Sequence, residues 1–303
     1  MHPKETHMPL FNGLSAFPIT PSDESGQVDT DGVSRLVARL EAANVASIGL
    51  LGSTGTYAYL SRSERLRAVK AAATTIKGTP LIVGVGTLRT SDAVALAEDA
   101  QMGGATALLL APVSYTPLTQ DEVFAHFRTV ATATDLPICI YNNPSTTHFN
   151  FGLPLLQQLA DLPNITAVKM PLPAKISLRD ELAQLRASLP KDFAIGYSGD
   201  WGCAEALLAG ADTWYSVLGG VLPQVAQDLT ATAQSGDEGA ATAQDAAVQP
   251  LWELFKEFGS LRVVYAIAKH LGITDAVPPR PILPVGPDVE KRIISALKKN
   301  NLV

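Results

Sequence analysis

The stretch Ile165-Thr166-Ala167-Val168-Lys169-Met170-Pro171 has the length of one β-strand and the composition of a strand buried on both faces, yet a lysine interrupts it. Strands covered on both sides lose the alternation of polar and apolar residues and become nearly continuous apolar runs. Similar runs recur at residues 14–19, 46–51, 80–85, 106–111, 137–141, 193–197 and 213–218. Helix signals lie between them. Ser61 with Glu64 makes a capping-box pattern ahead of Leu66, Val69 and Ile76, and Thr119 with Glu122 repeats it ahead of Val123, Phe127 and Val130. Gly210 supplies a stop after the helical residues 204–209.

Strand and helix alternating about eight times imply parallel strands joined by crossover helices, and a closed (β/α)8 TIM barrel arranges that many economically. An open doubly wound sheet is the alternative. It would carry a glycine fingerprint after its first strand, where only Thr20, Pro21 and Ser22 follow Ile19. After Gly220 the strand signal stops and residues 240–258, 261–271 and 288–297 read as helices. The expected division is a barrel over residues 1–223 and a C-terminal helical segment over 224–303 packed on it. The alanine-rich residues 231–247 favour helix, which Trp252, Leu254 and Phe255 continue as an apolar face. The proline-rich residues 277–287 read as an extended connector between the last two helices.

Composition narrows the function classes. Of 303 residues, 47% are hydrophobic and 17% charged, which suits a well-filled core. A net charge of -6 offers no electrostatic footprint for nucleic acid. Cys139 and Cys203 are too few for a disulfide framework and form no CxxC pair, so both read as core thiols. Residues 1–9 hold no apolar core of a secretory signal, and no run approaches the roughly 18 apolar residues of a membrane span. A cytoplasmic enzyme without membrane partners is the expectation. Metal-dependent hydrolysis has little support, because His2, His7, His126, His148 and His270 form neither HxH nor HExxH.

In such a barrel the reactive residues come from the C-terminal ends of strands and the loops that follow. Lys169 is the strongest candidate. Desolvation disfavours the charged form of an amine among apolar groups, and a neutral amine can add to a ketone and form an imine that withdraws electrons from the neighbouring carbon. The plainer reading is a lysine whose stem packs while its head reaches water. Residues 52–55, Gly-Ser-Thr-Gly, make a turn able to offer N–H groups and two hydroxyls to a carboxylate, or simply a βα turn. Tyr141 suits a proton relay or amphipathic packing, and His148 lies in the same loop.

Together, Gly52-Ser53-Thr54-Gly55 after strand two, Tyr141-Asn142-Asn143-Pro144-Ser145 after strand five, Val168-Lys169 on strand six and Ser198-Gly199-Asp200 after strand seven resemble the dihydrodipicolinate synthase and N-acetylneuraminate lyase family. Order and spacing match from Leu10 to the end of the chain, helical extension included. The resemblance implies a Schiff-base lyase or aldolase of a pyruvate-type 2-oxo acid that needs no cofactor or metal. It makes Lys169 the imine-forming lysine and Tyr141 the proton relay. Ser53 and Thr54, held by Gly52 and Gly55, would bind the substrate carboxylate, with Thr54 also contacting the tyrosine hydroxyl. Thr146, His148, Gly199 and Tyr215 would complete the substrate site. A homo-oligomer, dimer or tetramer, is implied as well.

The departures from the family pattern carry information. Thr56 stands where a glutamate is common, and Thr146 where the synthases carry an arginine for the semialdehyde carboxylate. The aromatic residue that a neighbouring subunit lends to the relay is shifted: Ser114 takes its place and Tyr115 follows one later. Met170, Pro171 and Leu172 replace acidic and small polar residues, leaving an apolar patch beside the lysine. These differences point away from dihydrodipicolinate synthesis itself. They leave open an aldolase, a dehydratase of a 2-keto-3-deoxy sugar acid, or a barrel that binds a 2-oxo acid without turnover.

Overall fold

A computed structural model of the chain describes residues 10–299 and 302; residues 1–9, read above as lacking a signal sequence, lie outside the described residues, as do His2 and His7. The eight apolar runs form β1 (Gly13–Ala16), β2 (Ser47–Leu50), β3 (Leu81–Gly84), β4 (Ala107–Leu110), β5 (Ile138–Tyr141), β6 (Ile165–Met170), β7 (Ala194–Tyr197) and β8 (Thr213–Ser216). They pair in parallel in sequence order, and β8 closes on β1 with Gly13 opposite Thr213 and Ala16 opposite Ser216. The sheet is therefore the closed barrel and not the open alternative.

Each strand is buried on both faces, which explains the missing alternation. Inside the barrel, Phe17, Ile82, Leu109, Cys139, Tyr141 and Tyr215 form a compact inner cluster. Outside it, Leu14, Ile48, Val83, Ile140, Val168 and Trp214 face the surrounding helices. Both thiols are core groups as read from the sequence, and burial pushes Cys139 up to about 12 and Cys203 well above the usual thiol range.

The helices are α1 (Thr30–Ala42), α2 (Arg62–Thr75), α3 (Thr90–Gly103), α4 (Gln120–Ala131), the single turn α5 (Pro144–Thr147), α6 (Leu153–Ala160), α7 (Leu178–Ser188), α8 (Cys203–Leu208), α9 (Pro223–Gln234), α10 (Glu238–Phe258), α11 (Ser260–His270) and α12 (Pro287–Lys299). The Thr119 box forms in full: Glu122 N donates to Thr119 Oγ1 at 3.3 Å and Thr119 N donates to Glu122 Oε2 at 2.7 Å. The Ser61 box is only half made. Ser61 Oγ caps Glu64 N, but Glu64 Oε2 accepts from Val28 N and pairs with Arg67, both at 2.7 Å. A long-range donor has outcompeted the local one.

The alanine-rich stretch is two helices, broken at Gly236 with φ +80, and Asp237 caps the second by accepting from Ala240 N. The first, α9, packs on β1 and serves as the crossover helix of the eighth βα unit, although it begins where the strand signal ends. We propose that the barrel-and-extension division expected at residue 223 is better drawn after Gln234. The extension is anchored through Trp252 of α10, whose ring meets Trp214 of β8 edge-on at 6.5 Å. Among the described residues no helix is long and apolar enough to cross a membrane.

Room for the inner aromatics comes from glycine. A Cβ on Gly196 would lie 2.6 Å from both the Thr213 carbonyl oxygen and the Tyr215 ring, and one on Gly52 would lie 2.6 Å from the Phe17 ring. Gly196→Ala should therefore destabilise the fold by about 1–3 kcal/mol through overpacking, seen as a lower urea midpoint with an unchanged slope. An unaltered midpoint would mean that the interior has slack which these distances deny.

Candidate active site

A cavity of about 910 Å³ opens at the C-terminal ends of the strands, where β2, β5, β6, β7 and β8 hand over to their loops. Register builds its floor. Lys169 is the Cα partner of Tyr141 on β5 and of Gly196 on β7, so the three face inward at one level. Lys169 is only 4% exposed. Its Nζ stands 3.9 Å from the centre of the Phe17 ring, 4.4 Å from that of Tyr141 and 5.5 Å from that of Tyr215. Phe17 and Tyr215 meet edge to face at 6.0 Å, fixing two walls of the slot.

The hydroxyl of Tyr141 lies in a short polar chain. Asn143 Nδ2 donates to it at 3.0 Å, and Ser53 Oγ lies 3.1 Å from it. The contact expected of Thr54 is thus made by Ser53; Thr54 lines the same cavity, buried, one residue further along the turn. Among the described residues nothing accepts from the backbone N–H of Ser53 or Thr54, which leaves both amides free for an anion. Gly52 and Gly55 do not line the cavity. Gly52 sits against the Phe17 ring, and a Cβ on Gly55 would fall 2.9 Å from the Leu51 backbone, so both serve the turn's packing.

Thr146, Gly199 and Tyr215 line the cavity, as expected of them. Thr146 is tied to its own loop by a 3.3 Å bond to Asn143 O, and the Tyr215 hydroxyl is engaged with Cys139 Sγ at 3.3 Å. His148 does not join them. It is exposed, in the left-handed region at φ +55, where it ends α5. The apolar patch beside the lysine is real but smaller than the sequence suggested: Pro171 and Leu172 face the cavity, while Met170 packs in the outer core.

Several residues of the site carry no signal in the sequence. Phe17, whose ring lies 3.9 Å from Lys169 Nζ, reads only as one apolar residue within the run 14–19. Trp201, Tyr59, Ile282 and Arg262 come from loops and from the helical extension. Thr56, at φ +53, lines the cavity with its hydroxyl buried. It faces the hydroxyl of Tyr265, which burial pushes up to about 12.

The chain matches the model of the dihydrodipicolinate synthetase family over residues 10–300. It is 33% identical over 252 residues to a 4-hydroxy-tetrahydrodipicolinate synthase of Pseudomonas aeruginosa, covering 82% of this chain and 85% of that protein. It belongs to the dihydrodipicolinate synthetase family. A second synthase of this family, from Phenylobacterium zucineum, is 30% identical over 97% of the chain and 99% of its own length. The crystal structure of a dihydrodipicolinate synthase from Agrobacterium tumefaciens superposes with a TM-score of 0.94 at 59% identity, covering 95% of this chain and 98% of that one. That of Aquifex aeolicus gives 0.89 at 28% identity over 96% and 99%. Members of the dihydrodipicolinate synthetase family are lyases of the class I aldolase type, and this chain is an enzyme of that class.

The carboxylate of Asp200 supports the far side of this family site. It is buried and accepts from Trp214 Nε1 at 2.9 Å, Val217 N at 3.2 Å and Leu218 N at 2.7 Å. Burial outweighs these bonds and the nearby lysine and pushes the group up to about 6. Between the ordinary carboxylate range and that value the folded protein holds a proton that the unfolded chain has lost, so this group's contribution to stability falls as pH rises through the window. Asp200→Asn should destabilise most near pH 4, and less as pH approaches about 6. Urea midpoints across that range check it; a deficit that grows with pH would contradict the account.

Proposed function

We propose that the protein is a Schiff-base lyase of a small 2-oxo acid. The single observation that carries the reading is Lys169: an amine that is 4% exposed, lines a substrate-sized cavity and has no carboxylate within 4 Å among the described residues. Its Nζ adds to the keto carbon, and loss of water from the adduct leaves an imine. The protonated imine accepts the electron pair released when the neighbouring carbon loses a proton or a carbon–carbon bond breaks. Ser53 and Thr54 hold the carboxylate end through their amides and hydroxyls. Tyr141 moves the proton. Its oxygen accepts from Asn143, so its own hydrogen is available to Ser53 or to the substrate oxygen.

Aldolase and 2-keto-3-deoxy sugar acid dehydratase both begin with this imine, and the reading covers both. It does not extend to dihydrodipicolinate synthesis, the activity in the names of the relatives. Position 146 lines the cavity as a threonine, and a neutral hydroxyl cannot replace a charged, bidentate guanidinium. We also propose a homo-oligomer, supported by Tyr115, which is 96% exposed on the loop after β4, one residue from the position of the shared aromatic.

Borohydride added with pyruvate should reduce the imine and leave one adduct, on the peptide containing Lys169; an unmodified Lys169 under conditions that label a proven Schiff-base aldolase would sink the reading. Tyr141→Phe should slow turnover of a proven substrate by roughly a hundredfold to ten-thousandfold with folding intact. Full activity in that variant would place the proton elsewhere. In a coupled reductase assay, pyruvate and aspartate semialdehyde should give at most about one hundredth of a genuine synthase's rate, from the lost charge-assisted bonds. Thr146→Arg should raise that rate, and a wild-type rate matching a synthase would show the reading of position 146 to be wrong.

A further inference from the structure

Among the described residues, three charged side chains line the cavity: Lys169, Asp200 and Arg262. Both oxygens of Asp200 already accept from the protein's own donors, Trp214, Val217 and Leu218. Arg262 has the opposite character. It stands in the first turn of α11, and among the described residues no carboxylate lies within 4 Å of its guanidinium. Among the described residues its guanidinium makes one hydrogen bond, from Nη1 to Phe258 O at 3.3 Å. That bond occupies one end of the planar group and leaves the edge formed by Nε and Nη2, which matches the two oxygens of a carboxylate.

The corner that presents Arg262 is built for the task. Gly259 joins α10 to α11 at φ +81 and ψ 128, a conformation open to glycine and hardly to any other residue, and a Cβ there would lie 3.2 Å from Nη1. The end of α10 is held by α12, whose Arg292 forks onto Glu257 at 2.6 and 3.1 Å and covers the Phe258 ring at 5.2 Å. Leu172, Trp201 and Ile282 add apolar surface to the lining of the same cavity.

We infer that Arg262 is the specificity-determining residue for the distal end of the substrate, and that the substrate is a dianionic 2-oxo acid whose terminal carboxylate it holds. The inference deepens the preceding one: it takes the 2-oxo acid end to lie at Lys169 and adds a second carboxylate at the helical extension. The arginine missing at position 146 is thus not simply lost. A cation recognises the far end from another element, and so selects a different second carboxylate.

Calorimetric titration tests this with 2-oxoglutarate and 2-oxoadipate set against 2-oxopentanoate and 2-oxohexanoate, which have the same chain lengths without the terminal charge. The wild-type protein should bind the dianion of at least one length about tenfold to a hundredfold more tightly than its monoanionic partner. In Arg262→Gln that ratio should fall to near one. Arg262→Lys keeps the charge without the fork and should fall between them. No preference at either length, or a preference that survives Arg262→Gln, would overturn the inference. Borohydride trapping of the same acids separates the two readings: a dianion preference that depends on Arg262 but yields no adduct on Lys169 upholds the arginine's role and defeats the imine.

Discussion

Holding a lysine among three aromatic rings inside a closed barrel is the constraint on which the rest of the site depends. Phe17, Tyr141 and Tyr215 crowd the level of Lys169, and a barrel of this size has no spare interior volume. Glycine removes the conflict where the rings fall. Gly49 and Gly52 open β2 and its turn to Phe17, and Gly196 opens β7 to Tyr215. The rings surround the amine of Lys169, and Ser53 and Asn143 bring polar groups to the Tyr141 hydroxyl beside it. Local backbone choices at three glycines thus set the position of one nitrogen.

The barrel was legible because burial on both faces leaves a mark that survives in a single sequence, the loss of alternation, and because that mark recurs eight times. Lys169 was legible because it violates the mark. What stayed hidden depends on distance in the chain. Glu64 was expected to close a local box and instead reaches Val28 of the preceding βα loop. Ser53 and Thr54 differ by one residue, and only the shape of the turn decides which hydroxyl meets Tyr141. His148 shares a loop with cavity residues but ends a helical turn that directs it outward. Arg262 reads as one charge on an amphipathic helix, and its place in the cavity follows from a glycine corner and a Trp214–Trp252 contact that link the extension to the barrel.

The floor and the roof of the cavity are built differently. The floor is strand ends, which a barrel keeps in fixed relation whatever its loops do. The roof is loops and appended helices, among whose residues are Thr146, Trp201 and Arg262. A relative at 59% identity shares nearly the whole fold, and fold alone does not choose the second substrate.

In the proposed reaction the nitrogen of Lys169 meets the keto carbon while the carboxylate rests on the turn after β2. A crystal structure of the protein soaked with pyruvate measures both at once. Continuous density is expected from Lys169 Nζ to the second carbon of the ligand, with the carboxylate against the amides of Ser53 and Thr54 and the Tyr141 hydroxyl beside the new bond. Pyruvate bound in the cavity with a clear gap to Lys169, or joined to another lysine, would contradict it.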